Sequence, residues 1–207
     1  MGRRVFFASS IASVLRTLRF GRLLMSAAVL VSMTIALAAC GSGSSQDNGT
    51  GQTPDYERAL AGAPKPLAKL HGQANQLLPG GTAAFGERLA QLRGYPVVVN
   101  NWASWCGPCR EEFPIFQRLS ARLGKHVAFL GVDSNDSAGA AKTFLKELPV
   151  PYPSYSDPNK EISAMLRVTV GLPGTAFYDR KGDLAYVKQG QYASESELAA
   201  DIRRYAR

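Results

Sequence analysis

The chain has 207 residues, enough for one ordinary domain with appendages or for two small ones, and 24 basic against 16 acidic residues give a formal charge of +8. Arg3, Arg4, Arg16, Arg19 and Arg22 all precede position 40 with no acid among them, which leaves 19 basic against 16 acidic residues in the remainder. A nucleic-acid-binding domain gathers its cations on its folded part. Here the excess sits in a leader, and nucleic acid drops out as a partner class.

From Leu23 to Ala39 the chain is apolar and uncharged apart from Ser26, Ser32 and Thr34. An arginine-bearing start followed by such a run is the layout of a signal peptide, and residues 1–39 are read as one, with a permanent membrane anchor left open by hydropathy alone. The run ends in Leu37-Ala38-Ala39-Cys40, which resembles the cleavage site of bacterial lipoproteins, so Cys40 is the expected lipidation site. The arginines hold the start of the chain in the cytoplasm and place the domain beyond the apolar run outside it. Arg3-Arg4 leaves twin-arginine export open beside the general route.

Residues 40–64 open with a Gly/Ser-rich stretch that has no apolar residue able to start a core, and are read as a flexible tether. Some 25 such residues would span roughly 27 Å. A single domain is expected over 65–207.

Within it, Phe85, Leu89 and Leu92 recur at helical spacing before Gly94, and Tyr95–Trp102 is a valine-rich run that reads as a buried strand. A helix is expected from near Cys106, with Phe113, Phe116, Leu119 and Leu123 on one face and Pro114 bending it. Val127–Val132 reads as a strand, Ala138–Leu148 as a helix and Ile162–Leu166 as a short helix. Thr175–Tyr178 and Leu184–Val187 flank a turn and predict an antiparallel hairpin. Ser194 with Glu197 forms a capping box for a last helix carrying Leu198, Ile202 and Tyr205. This order predicts an α/β fold with a central mixed sheet flanked by helices.

The chemistry-bearing pattern is Trp105-Cys106-Gly107-Pro108-Cys109. Two cysteines with two residues between them at a helix start can close a disulfide with little backbone movement. Free N–H groups and the positive end of the helix dipole favour a thiolate at Cys106, making it the expected nucleophile and Cys109 the resolving cysteine. Pro108 suits a first helical turn, where its missing donor is no loss. A zinc half-site would need two further ligands, and once Cys40 is lipidated only His71 and His126 remain, without ligand-like spacing. No metal is therefore expected, and no cofactor besides the Cys106–Cys109 couple. A structural disulfide closing so short a loop would constrain almost nothing.

Val97 to Arg110, read as VVVNNWASWCGPCR, resembles the active-site segment of the thioredoxin superfamily. The Glu112-Phe113-Pro114 just after it is similar to the TlpA/ResA group of membrane-attached thioredoxin-like proteins. Gly171-Leu172-Pro173-Gly174-Thr175 resembles the superfamily's cis-proline loop, and the long interval from Cys109 to Pro173 matches the insertion between active-site helix and cis-proline loop in that group. The resemblance implies that Leu172-Pro173 is cis and faces the cysteines, and that Trp105, Gly107, Pro108, Leu172 and Pro173 meet the substrate, in part as an added strand. Asn100 stands where cytoplasmic thioredoxins have a buried aspartate, so proton transfer to the resolving cysteine shifts to Glu112, whose alternative reading is a surface acid near a helix start. Asn101 stands where the family has an apolar residue, and no role is assigned to it.

The same resemblance implies a protein-disulfide oxidoreductase outside the cytoplasm, anchored to a bacterial membrane and monomeric. It would act on protein dithiols and disulfides, with cytochrome c apoproteins as one substrate class. Carboxylates at Glu111 and Glu112 oppose a nearby thiolate, and the Gly-Pro spacer is that of reducing thioredoxins, so the expected direction is reduction, recharged by a membrane electron-donor protein. The alternatives are a thiol oxidant for exported proteins, a peroxidase, and a non-catalytic envelope binding module with the same fold.

Overall fold

Strand β2 (Val97–Trp102) is buried along its whole length, and the rest of the fold is arranged to cover it on both faces. The computed structural model describes residues 53–207. The signal peptide over 1–39, Cys40 and the tether as far as residue 52 lie outside the described residues.

Around β2 the chain forms a six-stranded mixed sheet in the order β1-β4-β3-β2-β5-β6. β3 (Ala128–Ser134) and β4 (Ser154–Asp157) extend it in parallel, as does the two-residue β1 (Leu77–Leu78) at the edge. β5 (Gly174–Tyr178) and β6 (Leu184–Gln189) continue the other side as an antiparallel hairpin. Successive side chains of a strand point to opposite faces, and β2 feeds two cores. Val98 and Trp102 pack with Phe113, Phe116, Phe144 and Phe177 under helices α4 (Gly107–Leu123), α5 (Ala138–Glu147) and α7 (Glu195–Tyr205). Val97 and Val99 pack with Phe85, Leu89, Leu130 and Ile162 under α3 (Gly81–Gln91) and α6 (Glu161–Met165). This is the thioredoxin-like architecture expected from the sequence, with β3, α5, β4 and α6 filling the long interval before the cis-proline loop.

Three aromatic rings lock the first core behind the dithiol. Trp102 stacks on Phe144 at 4.7 Å, Phe113 meets Trp102 edge-on at 5.4 Å, and Phe113 meets Phe144 at 4.6 Å. Such pairs add about 0.5–1.5 kcal/mol each beyond the area they bury. Helix α4 runs unbroken through Pro114.

Two features depart from the expectation. The fold begins before residue 65: Asp55 caps a short helix α1 (Tyr56–Leu60) by accepting from Arg58 N, Leu60 is buried, and the Tyr56 hydroxyl donates to Pro149 O at 2.8 Å. A second short helix, α2 (Lys65–His71), buries Leu67 and Leu70. Residues 55–64 are thus tied to the domain by one helix and a long-range hydrogen bond, and the stretch left for a tether is shorter than 40–64. The other departure is β4, whose Ser-Tyr-Ser-Asp carries no apolar alternation and comes after Pro149, Pro151 and Pro153. The capping box holds with one shift: Ser194 Oγ accepts from Glu197 N at 3.2 Å, but Glu197 reaches back to Ala193 N.

Close packing between strands shows at Gly131, where a Cβ would collide with Ser154 Oγ and stand 2.9 Å from Trp102 Nε1. Gly131→Ala is expected to destabilise the fold by about 1–3 kcal/mol in denaturant unfolding, with part of the loss recovered when Ser154→Gly is added.

Candidate active site

β2 ends at Trp102, and a turn of three residues delivers Cys106 to the N-cap of α4. The Cys106 backbone is extended there (φ −82°, ψ 104°), and its sulfur accepts from Cys109 N at 3.2 Å, the place a capping serine oxygen takes in an ordinary helix. Cys106 and Cys109 are joined in a disulfide with Cα atoms 5.2 Å apart. Cys106 is 4% exposed and Cys109 fully buried. Pro108 occupies the first turn, and among the described residues no atom beyond its chain neighbours and its own helix backbone lies within 4 Å of a Cβ placed on Gly107.

One turn into α4, Glu112 is not a surface acid. Its side chain is fully buried; Oε1 accepts from Asn100 Nδ2 at 2.7 Å and Oε2 from Tyr192 N at 3.0 Å. Burial pushes its carboxyl up to about 7, against the downward pull of those two hydrogen bonds and of the Lys188 charge. Asn100, the amide in place of a buried acid, therefore still contributes by holding the acid that replaces it. Since Glu112 is only partly ionised near neutrality, it opposes a thiolate less than its sequence suggests. Glu111 is exposed, and its Oε2 accepts from Gln191 Nε2 at 3.3 Å.

A second pair of acids braces the opposite side of the dithiol loop. Asp136 accepts from Ser104 N at 2.6 Å and from Ser137 N at 2.7 Å. Partial burial opposes its ionisation, but the bonds from Ser104 and Ser137 prevail and hold its carboxyl below the usual range. Asp133, beside Trp102 in the β2–β3 register, is buried, and burial first, then the neighbouring Asp136 and Asp157, push it up to about 8. Burial thus favours its protonated form, beside an Asp136 whose hydrogen bonds favour the ionised one. Trp105, 60% exposed, donates Nε1 to Asn135 O at 2.9 Å in the same connection.

Asn101, without a role from sequence, bridges the other face. Its Nδ2 donates to Ser163 Oγ at 2.7 Å and its Oδ1 accepts from Ser134 Oγ at 2.7 Å. Ser134 Oγ also stands 2.9 Å from Asp157 Oδ2, its one hydroxyl hydrogen shared between the two acceptors, and Asp157 accepts from Ile162 N and Ser163 N at the start of α6.

The Leu172-Pro173 peptide is cis. Gly174, the next residue, pairs with Asn101, so Pro173 stands beside the end of β2 from which the dithiol loop departs. Leu172 packs against the core cluster that contains both cysteines. Pro173 O accepts from Gly190 N at 2.9 Å, which ties this loop to the β6–α7 connection holding Glu112. A cleft of 230 Å³ opens alongside, lined among others by Trp105, Ser134, Lys160, Val170 and Leu172.

The structure thus brings together Trp105, Cys106, Gly107, Pro108, Cys109, Glu112, Leu172 and Pro173, while Cys40 lies outside the described residues. Sequence reasoning missed Asp133, Asp136 and the Tyr192 N–H. The two acids carried one legible signal, their place at the C-terminal end of a parallel strand, where sheets of this kind build sites. A backbone donor carries none.

A family model described as Redoxin matches residues 87–202. The thiol:disulfide interchange protein DsbE of Escherichia coli is 33% identical over 145 residues, which are 69% of this chain and 73% of that protein. The thiol-disulfide oxidoreductase ResA of Oceanobacillus iheyensis is 30% identical over 104 residues, 50% of this chain and 54% of that one. Among solved structures, a secreted Mycobacterium tuberculosis disulfide oxidoreductase homologous to Escherichia coli DsbE is similar with a TM-score of 0.50 and 25% identity, covering 56% of this chain and 85% of that one. The chain spans about half the length of several curated relatives it matches.

Glu112 and Asp133 both bind protons more tightly folded than unfolded. Each therefore favours folding fully below the ordinary carboxylate range, and loses that contribution as pH rises through about 7 for Glu112 and about 8 for Asp133. Unfolding free energy should fall from about pH 5 to about pH 8, with Glu112→Gln removing up to about 3 kcal/mol of that fall and Asp133→Asn a further part.

Proposed function

The chain belongs to the redoxin family, and on that premise we propose that it is an extracytoplasmic thiol-disulfide oxidoreductase that reduces protein disulfides through Cys106 and Cys109. The observation that carries the mechanism is Glu112, buried one helical turn from Cys109, held by Asn100 and Tyr192, and raised to a proton affinity near neutrality. A general base works best with a pKa close to the operating pH.

In the reduced protein, the Cys106 thiolate at the helix N-terminus attacks a substrate disulfide. A bond forms between Cys106 Sγ and one substrate sulfur, and the other substrate sulfur leaves as a thiolate that takes a proton from water. Cys109 then gives its proton to Glu112 and attacks Cys106 Sγ, releasing the second substrate thiolate and closing the Cys106–Cys109 disulfide. Two electrons pass from the protein dithiol to the substrate. The small exposure of Cys106 against the complete burial of Cys109 supports this division of roles. Pro173 and Leu172 would seat the substrate segment beside the dithiol, with Trp105, Gly107 and Pro108 on the other side of it. A cysteine couple of this kind needs no further cofactor.

Recharging falls to a membrane dithiol protein, because soluble thiols are scarce outside the cytoplasm. The lipoprotein-like stretch ending at Cys40 supports anchoring to a bacterial membrane through lipid, and the secreted Mycobacterium tuberculosis relative supports the compartment. Substrates would include disulfides of cytochrome c apoproteins, and the chain would act as a monomer. The Gly-Pro spacer supports the reducing direction.

Cys109→Ser should accumulate mixed disulfides between Cys106 and envelope proteins, seen as bands lost on reduction. A folded Cys109→Ser protein that traps none removes the enzymatic reading. The couple should have a potential near −270 mV, whereas about −120 mV would reverse the direction. Glu112→Gln should slow release of the trapped substrate by about 10²-fold, leaving the first attack by Cys106 unchanged in stopped-flow measurements.

A further inference from the structure

The end of the sheet opposite the dithiol collects cations that form no ion pair among the described residues. Val97 lies opposite Tyr178, so the start of β2 and the β5–β6 turn share one end, while Cys106 lies beyond the other. The six residues of β2 separate the two ends by roughly 20 Å. Arg93, in the α3–β2 connection, lays its side chain along Gly182 of the hairpin turn. Arg180 donates Nη1 to Gly94 O at 3.1 Å and its backbone N–H to Arg207 O at 2.9 Å. Arg207 in turn donates Nε to Arg204 O at 2.7 Å.

Three distant parts of the chain therefore bring Arg93, Arg180, Lys181, Arg204 and Arg207 to one end, all exposed. The ion pairs of the described residues lie elsewhere, and none includes any of these five. Their hydrogen bonds go to carbonyls, which leave the charge in place. The hairpin's two acids, Asp179 and Asp183, share this end, Asp179 accepting from Lys181 N and Asp183 N, and leave the five cations in excess.

We propose that this basic end docks on anionic phospholipid headgroups of the membrane that holds the chain, so that the dithiol faces away from the lipid into the aqueous compartment. The proposal rests on the lipid-anchor reading above. The chain also enters the fold on this half: Leu60 of α1 packs at Gly124, where α4 ends after running away from the dithiol. Asp55, which caps the first described helix, is only fifteen residues from Cys40 along the chain, a separation that no chain can stretch beyond about 50 Å, so the basic end meets the headgroups at high local concentration. Each basic residue at an anionic surface strengthens binding roughly fivefold, and salt screens the effect.

The test uses the full lipidated chain reconstituted in phosphatidylcholine vesicles with or without phosphatidylglycerol. A fluorophore on Gln91→Cys, attached with the active-site disulfide closed, is read for quenching by spin-labelled headgroups. Quenching is expected only with phosphatidylglycerol, and should vanish in high salt. The double variant Arg180→Glu, Arg204→Glu should weaken docking at least twentyfold while insulin-reduction turnover stays at the wild-type level. Lys181→Glu alone, at an exposed turn position, should weaken it at least fivefold and guards against misfolding of the double variant. Quenching that is equal in both vesicle types, or absent from both, overturns the proposal. So does binding to soluble polyglutamate without any response to phosphatidylglycerol, which would assign the patch to an acidic protein. Flotation with neutral vesicles in high salt reads the anchor separately: its loss removes the anchor reading, while phosphatidylglycerol-dependent quenching still reports on the patch.

Discussion

A carboxyl group in a dry core must be met by donors or stay protonated, and Glu112 does some of both. Asn100 reaches it from β2 and the Tyr192 N–H from the β6–α7 connection, so one side chain fixes the active-site helix against the central strand and the last loop together. That loop is itself pinned: the Tyr192 hydroxyl donates to Asp201 at 2.7 Å, Lys188 sits over the Tyr192 ring, and Gly190 N bonds Pro173 O. Proton acceptor and substrate platform consequently share one short connection.

The adjacent residues Asn100 and Asn101 divide the labour of β2. Strand alternation sends them to opposite faces, where the first serves the buried acid and the second secures α6 through Ser134, Asp157 and Ser163. α6 leads into the cis-proline loop, so two amides on one strand position the two halves of the site. Buried polar networks of this sort rigidify a core most where their members are satisfied. Asn101 is, its amide donating and its carbonyl accepting within the network, whereas Asn100 gives its amide to Glu112 and its carbonyl oxygen is buried without a partner among the described residues.

Much of this was legible from residue order. Apolar spacing placed α3, α4, α5 and α7, the valine run placed β2, and the Cys-Gly-Pro-Cys pattern placed the dithiol at a helix start, because each is a local signal. β4 was illegible, since its pairing with β3 is set by neighbours and its own residues are mostly polar. α1 was hidden for the same reason: five residues with one buried leucine look like tether until Pro149 offers its carbonyl to Tyr56. Glu112 was visible as a candidate but not as buried, because exposure depends on how Tyr192, eighty residues away, returns to cover it. Asp133 escaped notice because an acid at a strand end resembles any loop acid until its neighbours remove its water.

The open space around Gly107 bears on how such a protein can change over generations. Positions packed like Gly131 resist exchange because a methyl group there meets its neighbours. At Gly107 no packed neighbour among the described residues stands in the way, although the residue lies between the two reactive cysteines. A side chain at Gly107 can therefore be taken up by the fold without displacing a packed neighbour. Chemistry at this position is free to diverge faster than the scaffold that carries it.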